Sequence, residues 1–280
     1  MTRDTSMTSI PNKTFLNFIV LGGTTEQKIA ATAAAGFDQG EIWREDVEAY
    51  EPGAQALSAH LKESGLALAD IMVLRDFAGA PAHLHDEKRI QAIQMMDIAV
   101  TIGVDCVQSP AITLLDCDPD KVDEDLRWLA RQAATRGLRI AYEPLAWAVL
   151  DYTVPAAWER LQRVGEPNIG IVVDLFHVCT RQRPVEDLHG IPVEQIYQVQ
   201  LSDLAEPVTP DNLEHLIDTA RHRRVMPGQG YFDTSSFIQY LLRAGYQGPV
   251  GVEVFSDILK AQPAELTAHQ AMAALKDVWR

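Results

Sequence analysis

Residues 164–174 read V-G-E-P-N-I-G-I-V-V-D, and the fold turns on how that stretch divides. Gly165 stands where a helix must stop, because the left-handed C-cap conformation costs glycine nothing sterically. The β-branched run that follows is too short for a helix and too continuously apolar for a half-solvated strand. The stretch therefore reads helix end, stop, buried strand. Its last residue, Asp174, is a carboxylate at the end of a segment that otherwise belongs in a core.

The same punctuation recurs along the chain. Gly36 precedes E-I-W, Gly65 precedes L-A-L-A-D-I-M-V-L, Gly103 precedes V-D-C-V-Q, Gly137 precedes L-R-I-A-Y-E, and Gly245 precedes P-V-G-V-E-V. Between these runs lie segments with apolar residues at helical spacing. In D-P-D-K-V-D-E-D-L-R-W-L-A-R-Q-A-A-T-R the pattern predicts a helix capped by Asp118, with Pro119 at its first position, and T-T-E-Q at 24–27 has the form of a capping box. With F-L-N-F-I-V-L near residue 15 and I-Y-Q-V-Q-L near 196, the strands number eight. Eight buried strands alternating with helices predict a single-domain α/β fold, a (β/α)8 TIM barrel over residues 14–280 after an N-terminal arm at 1–13. A doubly wound open sheet is the alternative. The long interval from Leu201 to Pro249, with P-V-T-P, a short helix and P-G-Q-G, predicts an elaborated loop over one end of the barrel.

Composition narrows the function classes. The chain has 280 residues, 47% of them hydrophobic, and a formal net charge of −15. Such a field repels phosphate backbones and argues against a nucleic-acid partner. No apolar run approaches the roughly 18 residues of a membrane span, and the polar first thirteen residues lack the apolar region of a signal peptide. Three cysteines, Cys106, Cys117 and Cys179, without C-x-x-C spacing, give neither a disulfide framework nor a thiolate metal site. A cytoplasmic protein is expected.

In a barrel of this kind the reactive groups stand at the carboxyl ends of the strands. Glu143 closes R-I-A-Y-E, Asp174 closes I-V-V-D, Gln200 lies in I-Y-Q-V-Q-L, and Glu253 lies in V-G-V-E-V. These are adjacent strands, so three carboxylates and an amide converge at one end, where repulsion is severe without a cation. One divalent metal held by Glu143, Asp174, Gln200 and Glu253 resolves that conflict. The oxygen-donor set suits Mg2+, Mn2+ or Co2+ better than structural zinc.

A-Y-E-P, V-V-D-L-F-H and V-E-V-F-S-D, together with this ligand pattern, resemble the xylose-isomerase-like TIM-barrel superfamily, over nearly the whole chain from about residue 15. Within it, L-R-D-F-A-G at 74–79, Y-E-P-L-A-W-A at 142–148, the glutamine of V-Q-L-S-D and R-H-R-R-V-M-P-G-Q-G at 221–230 are most similar to the bacterial 3-dehydroshikimate dehydratases. Sugar epimerases of the superfamily more often carry histidine where this chain has Gln200, and P-G-E-G where it has P-G-Q-G. The resemblance implies a metal-dependent lyase that dehydrates 3-dehydroshikimate to protocatechuate. The alternative is a sugar or sugar-phosphate isomerase or epimerase, with a non-catalytic binding barrel and an abasic-site endonuclease behind it.

That chemistry needs an electrophile for a ketone, a base for the neighbouring proton and an acid for the departing hydroxyl. The metal held by Glu143 and Glu253 among others supplies the first, and His177, just past the end of its strand, is the candidate base. Its alternative role is to hydrogen-bond a ligand carboxylate. An anionic substrate needs a guanidinium clamp, for which Arg75 and Arg224 are the candidates, each with a salt-bridged or solvated surface role as the alternative. His222 is a further candidate substrate contact, and Trp147 a candidate apolar wall. A small polyhydroxy ketone or sugar is the expected partner; self-association is left open because no outer helical face stands out.

Overall fold

The computed structural model describes residues 10–279. Its strands are β1 (Thr14–Asn17), β2 (Gln39–Trp43), β3 (Ala67–Met72), β4 (Cys106–Pro110), β5 (Arg139–Glu143), β6 (Ile169–Asp174), β7 (Ile196–Leu201) and β8 (Val250–Val252). Each pairs in parallel with the next, and β8 closes on β1 through Thr14 and Val250, Phe15 and Gly251, and Leu16 and Val252. The expected single-domain (β/α)8 barrel is the fold, and the open sheet is excluded by that closure. At Gly251 the strands approach too closely for any side chain, since a Cβ there would stand 2.2 Å from the Phe15 ring.

The helix stops are where the sequence placed them. Gly65, Gly103 and Gly165 each end a helix in the left-handed conformation, and Thr24 and Gln27 form the reciprocal capping box at the start of Thr25–Ala34. Two expectations are corrected. The helix drawn from Asp118 and Pro119 begins at Val122, because the Asp118 carboxylate accepts from Asp120 N at 3.1 Å and its carbonyl from Lys121 N. Those bonds close a separate turn before the helix. The interval 201–249 holds two ten-residue helices, Leu213–His222 and Thr234–Arg243, rather than one short one.

Residues 1–9 of the expected N-terminal arm lie outside the described residues. From Asn12 the chain is fastened to the barrel: Asn12 Nδ2 donates to the carbonyls of Tyr246 and Gly248, and Lys13 O accepts from Val250 N. Among the described residues no helix is long and apolar enough to cross a membrane.

The barrel interior departs from the usual stacked aliphatic layers. Glu41, Asp70, Gln108, Gln198 and Gln200 are fully or nearly fully buried there and bonded to one another. Apolar residues Leu126, Leu129 and Ala133 on Val122–Ala134, and their counterparts on the other outer helices, seal the strands from outside.

Candidate metal centre and cavity

The carboxyl ends of the strands open into a cavity of about 500 Å³, lined among others by Trp43, Arg75, Glu143, Trp147, His177 and Glu253. Of the four expected ligands, Glu143 and Glu253 line it, while Asp174 and Gln200 are buried outside its lining. Ligand atoms of Glu143, Asp174 and His177 lie within 4.8 Å of one another. Arg224 ties Glu253, just past β8, to them, its Nη1 standing 2.9 Å from Asp174 Oδ2 and 3.1 Å from Glu253 Oε2. Asp174 is held by the turn it caps, where Oδ1 accepts from Phe176 N at 2.8 Å. The same short helix, Leu175–Thr180, swings His177 over the cluster.

Gln200 supplies the test of whether an ion fits. Its Nε2 donates to Glu41 Oε1 at 2.7 Å, which fixes the amide, while its Oε1 is buried and has no hydrogen-bond partner. A buried carbonyl oxygen without a donor, on the strand between those of Asp174 and Gly251, is one that a cation can satisfy. All four groups offer oxygen, as hard divalent cations require.

The electrostatics agree. Burial raises the Glu253 carboxyl well above the usual carboxylate range; Arg224 opposes that shift, and Asp174 and Glu143 reinforce it. Beneath it, burial and the neighbouring Asp70 and Glu253 raise Glu41 strongly, and burial brings Asp70 up to about 7. Against its desolvation, Glu41 receives three donors: Asn17 Nδ2 at 2.5 Å, Gln200 Nε2 at 2.7 Å and Gln198 Nε2 at 2.9 Å.

His177 is 4% exposed. Ala146 N donates to its Nδ1 at 3.0 Å, so the proton of the neutral ring sits on Nε2. That nitrogen faces Glu143 Oε1 at 3.5 Å and Asp174 Oδ2 at 3.4 Å. Trp147 meets His177 edge-on with ring centroids 5.0 Å apart and forms part of the cavity wall.

The predicted cationic residues divide. Arg75 lines the cavity, lies over the Trp43 ring at 5.3 Å and reaches Glu45 only at 3.7 Å. The neighbouring Asp76 is instead taken by Thr113, whose N and Oγ1 both donate to Asp76 Oδ1. Arg224 is no member of an exposed run: it is 2% exposed, stacked on Phe176 and Phe255 and bonded to the cluster. His222 stands outside the cavity lining and pairs with Asp257 at the surface.

Sequence reasoning passed over Glu41, Gln108 and Asp203. Gln108 Nε2 donates to Glu143 Oε2 at 2.7 Å. The Asp203 carboxylate accepts from Gly228, Gly230 and Phe232 N and so pins the P-G-Q-G turn beside the cavity. The period-two placement of Gln198 and Gln200 on β7 was a usable signal, since it sends both into the interior.

Comparison with known proteins agrees with this geometry. The sequence pattern of the xylose isomerase-like TIM barrel family matches residues 29–278, and the chain belongs to that family. It is 32% identical over 259 residues to a 3-dehydroshikimate dehydratase of Pseudomonas aeruginosa, covering 92% of this chain and 40% of that protein. An inosose isomerase of Halalkalibacterium halodurans is 26% identical over 221 residues, 78% of this chain and 74% of that one. Among solved structures, a xylose isomerase-like TIM barrel/4-hydroxyphenylpyruvate dioxygenase fusion protein superposes with a TM-score of 0.87 at 29% identity, covering 94% of this chain and 42% of that chain. This chain thus spans about two-fifths of the length of the Pseudomonas relative.

Proposed function

We propose that this barrel is a divalent-metal-dependent dehydratase that converts 3-dehydroshikimate to protocatechuate. The observation that carries the reading is the buried Glu143, Asp174 and Glu253 cluster with the orphaned Gln200 oxygen, at a cavity sized for one small ring. Similarity to the Pseudomonas dehydratase supports the choice of substrate. Glu143, Asp174, Gln200 and Glu253 would hold the ion, Mn2+, Mg2+ or Co2+. Bound there, it supplies an electrophile for the substrate ketone.

The chain's own groups move the protons. With Nδ1 accepting from Ala146 N, the neutral ring already carries its proton on Nε2, which therefore has no lone pair to take another and faces the site as a hydrogen-bond donor. His177 accordingly hydrogen-bonds the departing hydroxyl, and a carboxylate, Glu143 or Glu253, takes the proton beside the ketone and returns it to that hydroxyl. One proton leaves the ring carbon, one joins the hydroxyl, and water departs; aromatisation drives the reaction forward. Trp147 and Phe255 exclude water from one side.

The second reading, an isomerase of a cyclic or open ketose, is favoured by the inosose isomerase relative and uses the same proton transfer without loss of water. A protein with all three cysteines free fits a reducing cytoplasm. The test is incubation of Mn2+- or Mg2+-loaded protein with 3-dehydroshikimate while following protocatechuate absorbance. Absence of product with every divalent metal tried refutes the dehydratase and leaves the isomerase in front.

A further inference from the structure

The run R-H-R-R at 221–224 places three arginines and a histidine at the end of one helix, and their partners differ. His222 pairs with Asp257, Arg223 with Asp218 at 3.0 Å, and Arg224 with the Asp174 and Glu253 carboxylates. Arg221 has no ion pair or hydrogen bond among the described residues, yet it lines the cavity. The same cavity is lined by Arg75, whose guanidinium is half-exposed and only loosely approached by Glu45.

Charge makes this pair informative. The cluster's three carboxylates are matched by the Arg224 guanidinium and one divalent ion, so the loaded cluster is close to neutral. Of the two guanidiniums at the wall, Arg221 is then uncompensated and Arg75 is met only by Glu45 at 3.7 Å, in a chain whose net charge is −15. A neutral polyol would leave Arg221 without a counter-charge. An ionised carboxylate on the ring, with its hydroxyls directed to the cluster, supplies it, and guanidinium is the group whose geometry matches carboxylate in two parallel bonds.

We propose that Arg221, together with Arg75, selects substrates that carry an ionised carboxylate and rejects neutral cyclitols and sugars, with Arg221 as the specificity-determining residue. This rests on the reading of the cavity as the substrate site; Arg224 also lines it, but its Nη1 is committed to two carboxylates and its Nε to the Ala220 carbonyl, so its charge is already matched. The position also suits the charge: Arg221 lies in the last turn of Leu213–His222, where the helix carbonyls favour a cation.

The experiment compares the binding of shikimate and of shikimate methyl ester to the Mn2+-loaded protein by calorimetry. The two ligands share a ring and hydroxyls and differ in charge. The wild type should bind the acid about ten- to hundredfold more tightly, the range of one or two charge-assisted hydrogen bonds. Arg221→Gln should bring the two affinities within about threefold while ester binding stays unchanged, and Arg221→Lys should restore part of the preference. Equal wild-type affinities, or an undiminished preference in Arg221→Gln, overturn the proposal. A preference that vanishes in Arg75→Gln but persists in Arg221→Gln overturns the assignment to Arg221. Failure of the dehydratase reading is distinguishable: acid selectivity would persist although 3-dehydroshikimate yields no protocatechuate.

Discussion

Replacing Glu41 with glutamine probes the centre from beneath without touching a ligand. Glu41 is fully buried on β2 and accepts three N–H donors, two on Oε1 from Gln198 and Gln200 and one on Oε2 from Asn17. A glutamine has one acceptor and one donor end. In either orientation its NH2 group meets an amide nitrogen at 2.5 to 2.9 Å, donor against donor. When the NH2 group takes the Oε1 side, opposite Gln198 and Gln200, the Gln200 amide escapes the clash by turning, which moves its orphaned oxygen. Losing a group that orients a ligand costs about ten- to hundredfold in metal affinity, or about 1.4–2.8 kcal/mol. Titration of Mn2+ into chelated protein, followed by calorimetry, reads that loss directly. Folding should not suffer in parallel, because the substitution removes a desolvated acid, so thermal unfolding of the metal-free variant serves as control. Mn2+ affinity within twofold of wild type in a folded Glu41→Gln protein would refute the argument that Glu41 orients Gln200.

Three other outcomes follow from the same geometry. Glu253→Gln removes an anionic ligand and should weaken Mn2+ binding by more than about hundredfold and abolish turnover; calorimetry showing wild-type affinity would contradict the ligand assignment. Asp70, raised from 3.8 to about 7 by burial, holds its proton in the folded state through a window where the unfolded chain releases it. Stability should therefore fall as pH rises from about 4 to about 7 and level off above, a decline on the order of 4 kcal/mol for this group. Asp70→Asn should flatten that decline in urea unfolding curves at acid and neutral pH; an unchanged slope would count against it. Tyr142→Phe removes the hydroxyl that donates to Asp151 at 2.8 Å next to the Glu143 ligand. It should cost about 1–2 kcal/mol in denaturant unfolding while leaving Mn2+ affinity near wild type.

The barrel was legible because its cues are local. Glycine at 65, 103 and 165 ends a helix by its own conformational freedom, and the β-branched run before Asp174 marks a strand buried on both faces. The proposed ligand positions were chosen for the same reason, as polar residues that close apolar runs. What stayed hidden depends on how strands stagger around the closed barrel. Glu41 sits within Q-G-E-I-W and Gln108 within C-V-Q-S-P, and nothing in those strings shows that Glu41 bonds Gln200 and Gln108 bonds Glu143. Arg224 stands in a run that looks solvated, yet the backbone bends it inward: its N donates to Phe255 O, and the neighbouring Val225 pairs with Asp203. The tautomer of His177 required the Ala146 amide, which is 31 residues distant in sequence.

The proposed dehydratase would use the four strand-end oxygen donors to hold one divalent ion at a cavity for a carboxylated ring ketone. Its most direct test is turnover of 3-dehydroshikimate beside inosose by the same preparation, first chelated and then restored with one equivalent of Mn2+. The account predicts protocatechuate only from the restored protein, with kcat/KM for 3-dehydroshikimate at least about tenfold above that for inosose. Equal turnover before and after chelation, or faster conversion of inosose, would contradict it.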